Sequence, residues 1–138
     1  MWTTINNCWR NSVGRDYLFI ALNIGSVFLS LTAYVINQYY LKINYQNIIF
    51  SSFWNDFCAG VFILSYSNIL LSFYKYRNIK LDTLTKIIGF SLIVASYWEY
   101  ITPLYNKSSI SDPLDILMYT LGALFYYFTV IACFYAVL

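Results

Sequence analysis

Along the chain, apolar positions gather into four long runs separated by short polar intervals: Tyr17 to Asn37, Phe57 to Tyr74, Leu84 to Tyr100 and Ile116 to Val137. An α-helix needs about 20 mostly apolar residues to cross roughly 30 Å of hydrocarbon, and each run approaches that length. The pattern predicts an all-α polytopic integral membrane protein, a single transmembrane domain over residues 1–138. Short connections favour neighbouring antiparallel helices in one four-helix transmembrane bundle.

Within each run, small and polar residues recur at offsets of three and four. Helix one carries Asn23, Ser26, Ser30, Ala33 and Asn37; helix two carries Asp56, Gly60 and Ser67. Helix three has Thr85, Gly89, Ser96 and Glu99, and helix four has Asp115, Tyr119, Gly122, Tyr126, Thr129 and Cys133. Such spacing places each set on one helical face. Small and hydroxylated residues let membrane helices approach closely, so these stripes mark the inside of the bundle.

Composition strengthens the membrane reading. The chain is 60% hydrophobic and only 10% charged, too few charges to cover a water-facing surface. Fifteen Tyr and four Trp suit the headgroup zones on either side of a bilayer. Cys8, Cys58 and Cys133 are scattered and His is absent, which argues against a structural zinc site or a disulfide framework. A net charge of +2, with no basic helical stripe, excludes nucleic acid as a partner. The N-terminus lacks the basic, apolar and small-residue succession of a signal peptide, so the first run is expected to stay.

Basic residues orient the spans. Arg10 and Arg15 precede the first, while Lys75, Arg77, Lys80 and Lys86 surround the connection between the second and third; the remaining loops hold Lys42 and Lys107. The positive-inside rule then puts both termini and the middle loop in the cytoplasm of a cell with this multi-pass protein in its inner (plasma) membrane. Asp82 and Lys86, four apart, are expected to pair at the start of helix three.

With that topology, polar residues converge on the outer face. Asn37 and Gln38 close helix one there, Asn55 and Asp56 open helix two, Glu99 closes helix three, and Asp112 and Asp115 open helix four. Of six acidic residues only Asp16 and Asp82 fall on the other side. Helix starting alone explains part of this: Asp112-Pro113 reads as a cap followed by a first-turn proline, and Asp56 and Asp115 sit at positive helix ends. Glu99 is different, since it lies at a negative helix end with Trp98 and Tyr100 beside it, and Pro103 is expected to stop its helix soon after. Carboxylates held together in an apolar setting need a hard cation such as Mg2+ or Ca2+, a proton, or a cationic ligand group. The candidate ligand- or cation-binding set is therefore Asp56, Glu99, Asp112 and Asp115, the four also being the candidate metal ligands, with Asn37, Gln38, Asn55 and Tyr119 around them.

The segment Trp98-Glu99-Tyr100-Ile101-Thr102-Pro103, followed by Asp112-Pro113-Leu114-Asp115 and Tyr119 to Ala123, resembles the corresponding stretch of VanZ-like membrane proteins. It is also similar to small four-helix bacterial proteins labelled magnesium citrate secondary transporters, in Asp112, Pro113, Asp115, Tyr119, Gly122 and Ala123 and in Asn37-Gln38 and Asn55-Asp56. Those proteins carry an acid where this chain has Asn55, and VanZ-like proteins carry Asn where it has Tyr119. The resemblance implies a bacterial membrane protein connected with antibiotic resistance or with transport. The expected function is thus a non-enzymatic protein whose outer acidic site binds a cation, a lipid headgroup or a cationic peptide. Two alternatives stand beside it: a small secondary transporter, which with four helices would have to act as a homo-oligomer, and a subunit or immunity protein that holds a membrane-protein partner. Without His, neither a Ser-His-Asp nor a Cys-His set can form, so an enzyme is not expected.

Overall fold

The computed structural model describes residues 2–44, 53–74, 79–106 and 112–137, with side chains from Gly14 onward. Lys75, Arg77 and Lys107, and the side chains of Cys8 and Arg10, lie outside the described residues. The described residues form helices and no strand. Four stretches are long and apolar enough to cross a membrane: Gly14–Asn44, Trp54–Phe73, Leu84–Tyr105 and Pro113–Ala136.

Helix α1 is α-helical over Trp2–Ile36, widens into one π-helical turn at Asn37–Leu41, and ends with Lys42–Asn44. Helix α2 is Trp54–Phe73. Helix α3 is α-helical over Leu84–Ser96, widens at Tyr97–Ile101 and closes with Thr102–Tyr105. Helix α4 follows the same plan: Pro113–Tyr126, a wide turn at Tyr127–Ile131, then Ala132–Ala136. Pro103, expected to stop α3, sits instead in the first turn of its last segment. A proline ring crowds the carbonyl four residues back and brings no N–H to it. That carbonyl belongs to Glu99, inside the wide turn, where the ladder is already open.

Of the chain neighbours expected side by side, α1 with α2 and α3 with α4 do pack together, whereas α2 barely meets α3 and packs most extensively on α4. In space the order is α1, α2, α4, α3. Two glycines explain why α2 and α4 come together. A Cβ on Gly60 would stand 2.5 Å from the backbone carbonyl oxygen of Tyr119, and one on Gly122 would collide with that of Phe57. Backbone thus touches backbone, which only a residue without a side chain permits.

The other half of the bundle is filled by Phe19, Leu64, Ile87, Ala123, Tyr126, Val130, Ile131 and Phe134. A polar seam runs through it. The Tyr126 hydroxyl donates to Asn23 Oδ1 at 2.7 Å and accepts from Asn68 Nδ2 at 2.7 Å. Asn68 also brackets Leu81, donating to its carbonyl at 2.9 Å and accepting from its N–H at 2.8 Å. Farther along, Ser65 donates to Ser26 across α1 and α2 at 2.9 Å. Asp16 and Lys80 pair at 2.7 Å, with the ammonium 4.8 Å above the Phe19 ring, and the expected Asp82 to Lys86 pair forms at 2.8 Å.

The predicted stripes meet mixed outcomes. Asn23, Ser26, Ser30 and Asn37 are buried, as are Gly60, Glu99, Tyr119, Gly122 and Tyr126. Thr85 is exposed and a Cβ added to Gly89 would meet nothing within 4 Å, because the buried line of α3 is Ile87, Ser91, Ala95, Glu99 and Thr102. Thr129 and Cys133 are exposed as well. The wide turn, which holds Thr129 and precedes Cys133, advances the face by one residue, so Val130 and Phe134 point inward where a regular helix would have turned Thr129 and Cys133.

Candidate functional site

The acidic end of the bundle is assembled by two kinds of helix terminus. Asp56 and Asp115 stand in the first turns of α2 and α4, where partial positive charge favours a carboxylate. Asn37 and Glu99 are the buried residues of the wide turns in α1 and α3. A wide turn points its side chains differently from the regular helix around it, and such turns recur at functional sites. Here the two carry an amide and a carboxyl into the interior.

The Gly60 and Gly122 crossing positions the acids. Asp56 lies four residues before Gly60, and Asp115 four before Tyr119, so each stands one turn from the point of closest approach. Their carboxyl groups come within hydrogen-bonding reach of one another, and Glu99 is close enough to repel both. Tyr119, buried on α4, faces the charges of all three. Beside them Asn37 donates to Asn55 Oδ1 at 3.0 Å, joining α1 to α2, and the Trp54 indole N–H donates to the Ala33 carbonyl at 3.3 Å.

Each sequence candidate now has a place. Asp112 caps α4, its carboxylate accepting from the Leu114 N–H at 2.9 Å with Pro113 following, so helix starting accounts for it. Glu99, 7% exposed, has a partner too: its Oε2 accepts from the Asp112 N–H at 2.7 Å. It therefore ties the wide turn of α3 to the start of α4, an attachment that spacing alone did not disclose. Asp115 does not close a capping arrangement with Asp112 but turns toward Asp56. Asn37, Asn55 and Tyr119 flank the acids, whereas Gln38 is exposed on the helix surface.

Among the described residues no group of three or more Asp, Glu or Cys side chains is placed to hold a metal ion. The expected ring of four carboxylates is not drawn up, because Asp112 is occupied with its helix and Glu99 with Asp112. What faces a ligand is chiefly the Asp56 and Asp115 pair. A hard cation there would find two facing carboxyls, with amide oxygens nearby, rather than a closed cage. Among the described residues no Lys or Arg pairs with Asp56, Glu99 or Asp115.

No family model, curated protein or solved structure matches this chain.

A cleft of about 360 Å³ opens beside Asp56, along the seam of α1 and α2. The sequence reading missed it. Its lining alternates between residues that look like lipid-facing anchors and residues that look like packing, and no spacing rule marks a gap between helices.

Proposed function

We propose that this chain is a multi-pass membrane protein, an antiparallel four-helix bundle with both termini in the cytoplasm, whose acidic end binds a cationic group from the outer side. On this reading it is not an enzyme, and the VanZ-like resemblance of residues 98–123 is a kinship in site design. The observation that carries the proposal is the close pair Asp56 and Asp115, backed by Glu99, without a basic side chain paired to any of them among the described residues. Two half-buried carboxyl groups this close at the end of an apolar bundle repel unless a proton, a metal ion or an ammonium stands between them. A cation binder uses that repulsion, since the ligand relieves it on arrival. The helix N-termini at Asp56 and Asp115 offset part of the repulsion before a ligand arrives.

Transport is the weaker reading. The polar groups between the two ends, Ser26, Ser65, Asn23, Asn68 and Tyr126, bond to one another, which makes them a seam that joins helices. A partner-holding role finds no specific feature.

The test is thermal unfolding of the purified protein in detergent with added Mg2+, Ca2+ or spermidine. A ligand that binds only the folded state raises its stability as its concentration passes Kd, by about 2.7 kcal/mol at a hundredfold excess. Stabilisation by at least one of the three in the wild type, lost in Asp56→Asn with Asp115→Asn, supports the site. Equal responses in both proteins, or none in either, would remove it.

A further inference from the structure

Resting on that reading, we propose that the cationic group is the primary ammonium of a bilayer lipid, which enters sideways through the cleft between α1 and α2. The cleft lies along the helices, lined by Ser30, Leu31 and Tyr34 from α1 and by Asn55, Asp56 and Phe62 from α2. Leu31 and Tyr34 are 44% and 41% exposed, so one wall belongs to the outer surface of the bundle. At about 360 Å³ it falls within the roughly 300–1,000 Å³ of ligand pockets.

Its chemistry changes along its length. Asn55 and Asp56 stand in the first turn of α2, at the end where a headgroup would lie, while Ala59 and Phe62 make an apolar floor toward the middle of the span and Leu31 stands at the mouth. That gradient is the gradient of a lipid. Every apolar helix face in a bilayer is covered by acyl chains, so an apolar groove alone selects nothing; the groove on α3 lined by Leu92, Ile93, Ser96 and Ile101 is of that indifferent kind. The cleft differs in having a carboxyl at its polar end and neither Lys nor Arg among its lining residues. Charge complementarity favours an ammonium and opposes an anionic headgroup. A primary ammonium also donates hydrogen bonds, which Asp56 and the Asn55 carbonyl can accept.

The experiment uses the full chain in phosphatidylcholine vesicles with a chain-labelled nitroxide lipid, either phosphatidylethanolamine or phosphatidylglycerol. Electron paramagnetic resonance reads the fraction of label immobilised at the protein. The ethanolamine lipid should be enriched about two- to fivefold over the glycerol lipid, the range a partly exposed ion pair supplies. Both Ala59→Leu, which fills the floor, and Leu31→Trp, which plugs the mouth, should erase the preference, as should Asp56→Asn; Ile93→Trp, in the α3 groove, should not. Two cleft variants guard against one failing to fold. No preference in the wild type overturns the inference, whatever soluble cations do. A preference that survives both cleft variants but disappears with Asp56→Asn also overturns it, and leaves a cation site reached from water. A preference untouched by Asp56→Asn removes the lipid assignment together with the role of that acid.

Discussion

The contact between α2 and α4 makes a quantitative prediction through its glycines. Adding one methyl at Gly60 places a Cβ 2.5 Å from the Tyr119 carbonyl oxygen, and ordinary contact begins at 3.4 Å. Gly60→Ala must therefore open the crossing by about 0.9 Å, the difference of those two distances. Backbone cannot swing aside as a side chain can, so the cost is that of overpacking, about 1–3 kcal/mol. Gly122→Ala meets the Phe57 carbonyl in the same way and should cost at least as much. Because the two share one contact, the double variant should fall short of the sum. Gly25 and Gly89 supply the control, since a Cβ on either meets nothing within 4 Å. At those positions alanine should be neutral or stabilise by up to about 1 kcal/mol through helix propensity. The assay is reversible unfolding in mixed micelles, read by circular dichroism, for all four single variants. If Gly60→Ala and Gly122→Ala proved no less stable than Gly25→Ala and Gly89→Ala, the backbone crossing, and the placement of Asp56 and Asp115 derived from it, would be wrong.

Three shorter predictions follow from other contacts. Tyr126→Phe strips the hydroxyl that joins Asn23 to Asn68 and should lower stability by about 0.6–2 kcal/mol, the range for interhelical hydrogen bonds in bilayers, in the same unfolding assay. Glu99→Gln keeps an oxygen that can accept from the Asp112 N–H, whereas Glu99→Ala keeps none, so only the alanine variant should unfold earlier while both weaken cation-induced stabilisation. Equal stability of the two would mean that the attachment to α4 contributes nothing. Asn44, exposed at the end of the first membrane-crossing stretch, should, as Asn44→Cys in a chain whose native cysteines are replaced by Ser, react with a membrane-impermeant maleimide added to intact cells; protection there, with reaction only after lysis, would invert the proposed orientation.

The four helices were legible because span length and apolar content are properties of composition over a window, insensitive to local geometry. Asn23, Ser26, Ser30 and Asn37 read correctly for the same reason: over most of its length α1 is a regular helix, and its spacing is its face. Thr129 and Cys133 were misplaced because a π-helical turn intervenes, and no residue type in Tyr127–Ile131 announces one. Asn68 escaped notice since a lone amide in an apolar run shows no periodicity, although a polar group in such a run must find partners. At the site, Asp112 was recognisable from its proline. The tie between Glu99 and the Asp112 N–H joins residues 13 positions apart across a loop, and only folding reveals it.

The wide turns in α1, α3 and α4 carry one residue more than a regular helix would need for the same rise. At 3.6 residues per turn a single residue is worth about 100° of rotation. Deleting one residue from Tyr97–Ile101 would let α3 run straight, yet swing all that follows by that angle and carry the chain away from its anchorage on α4. Each wide turn is thus a phase adjuster that lets the two halves of a helix obey different neighbours. Relatives of this chain are then best aligned in halves, with a one-residue gap allowed at each turn, because an alignment that insists on a continuous helical repeat would pair inward-facing residues with lipid-facing ones.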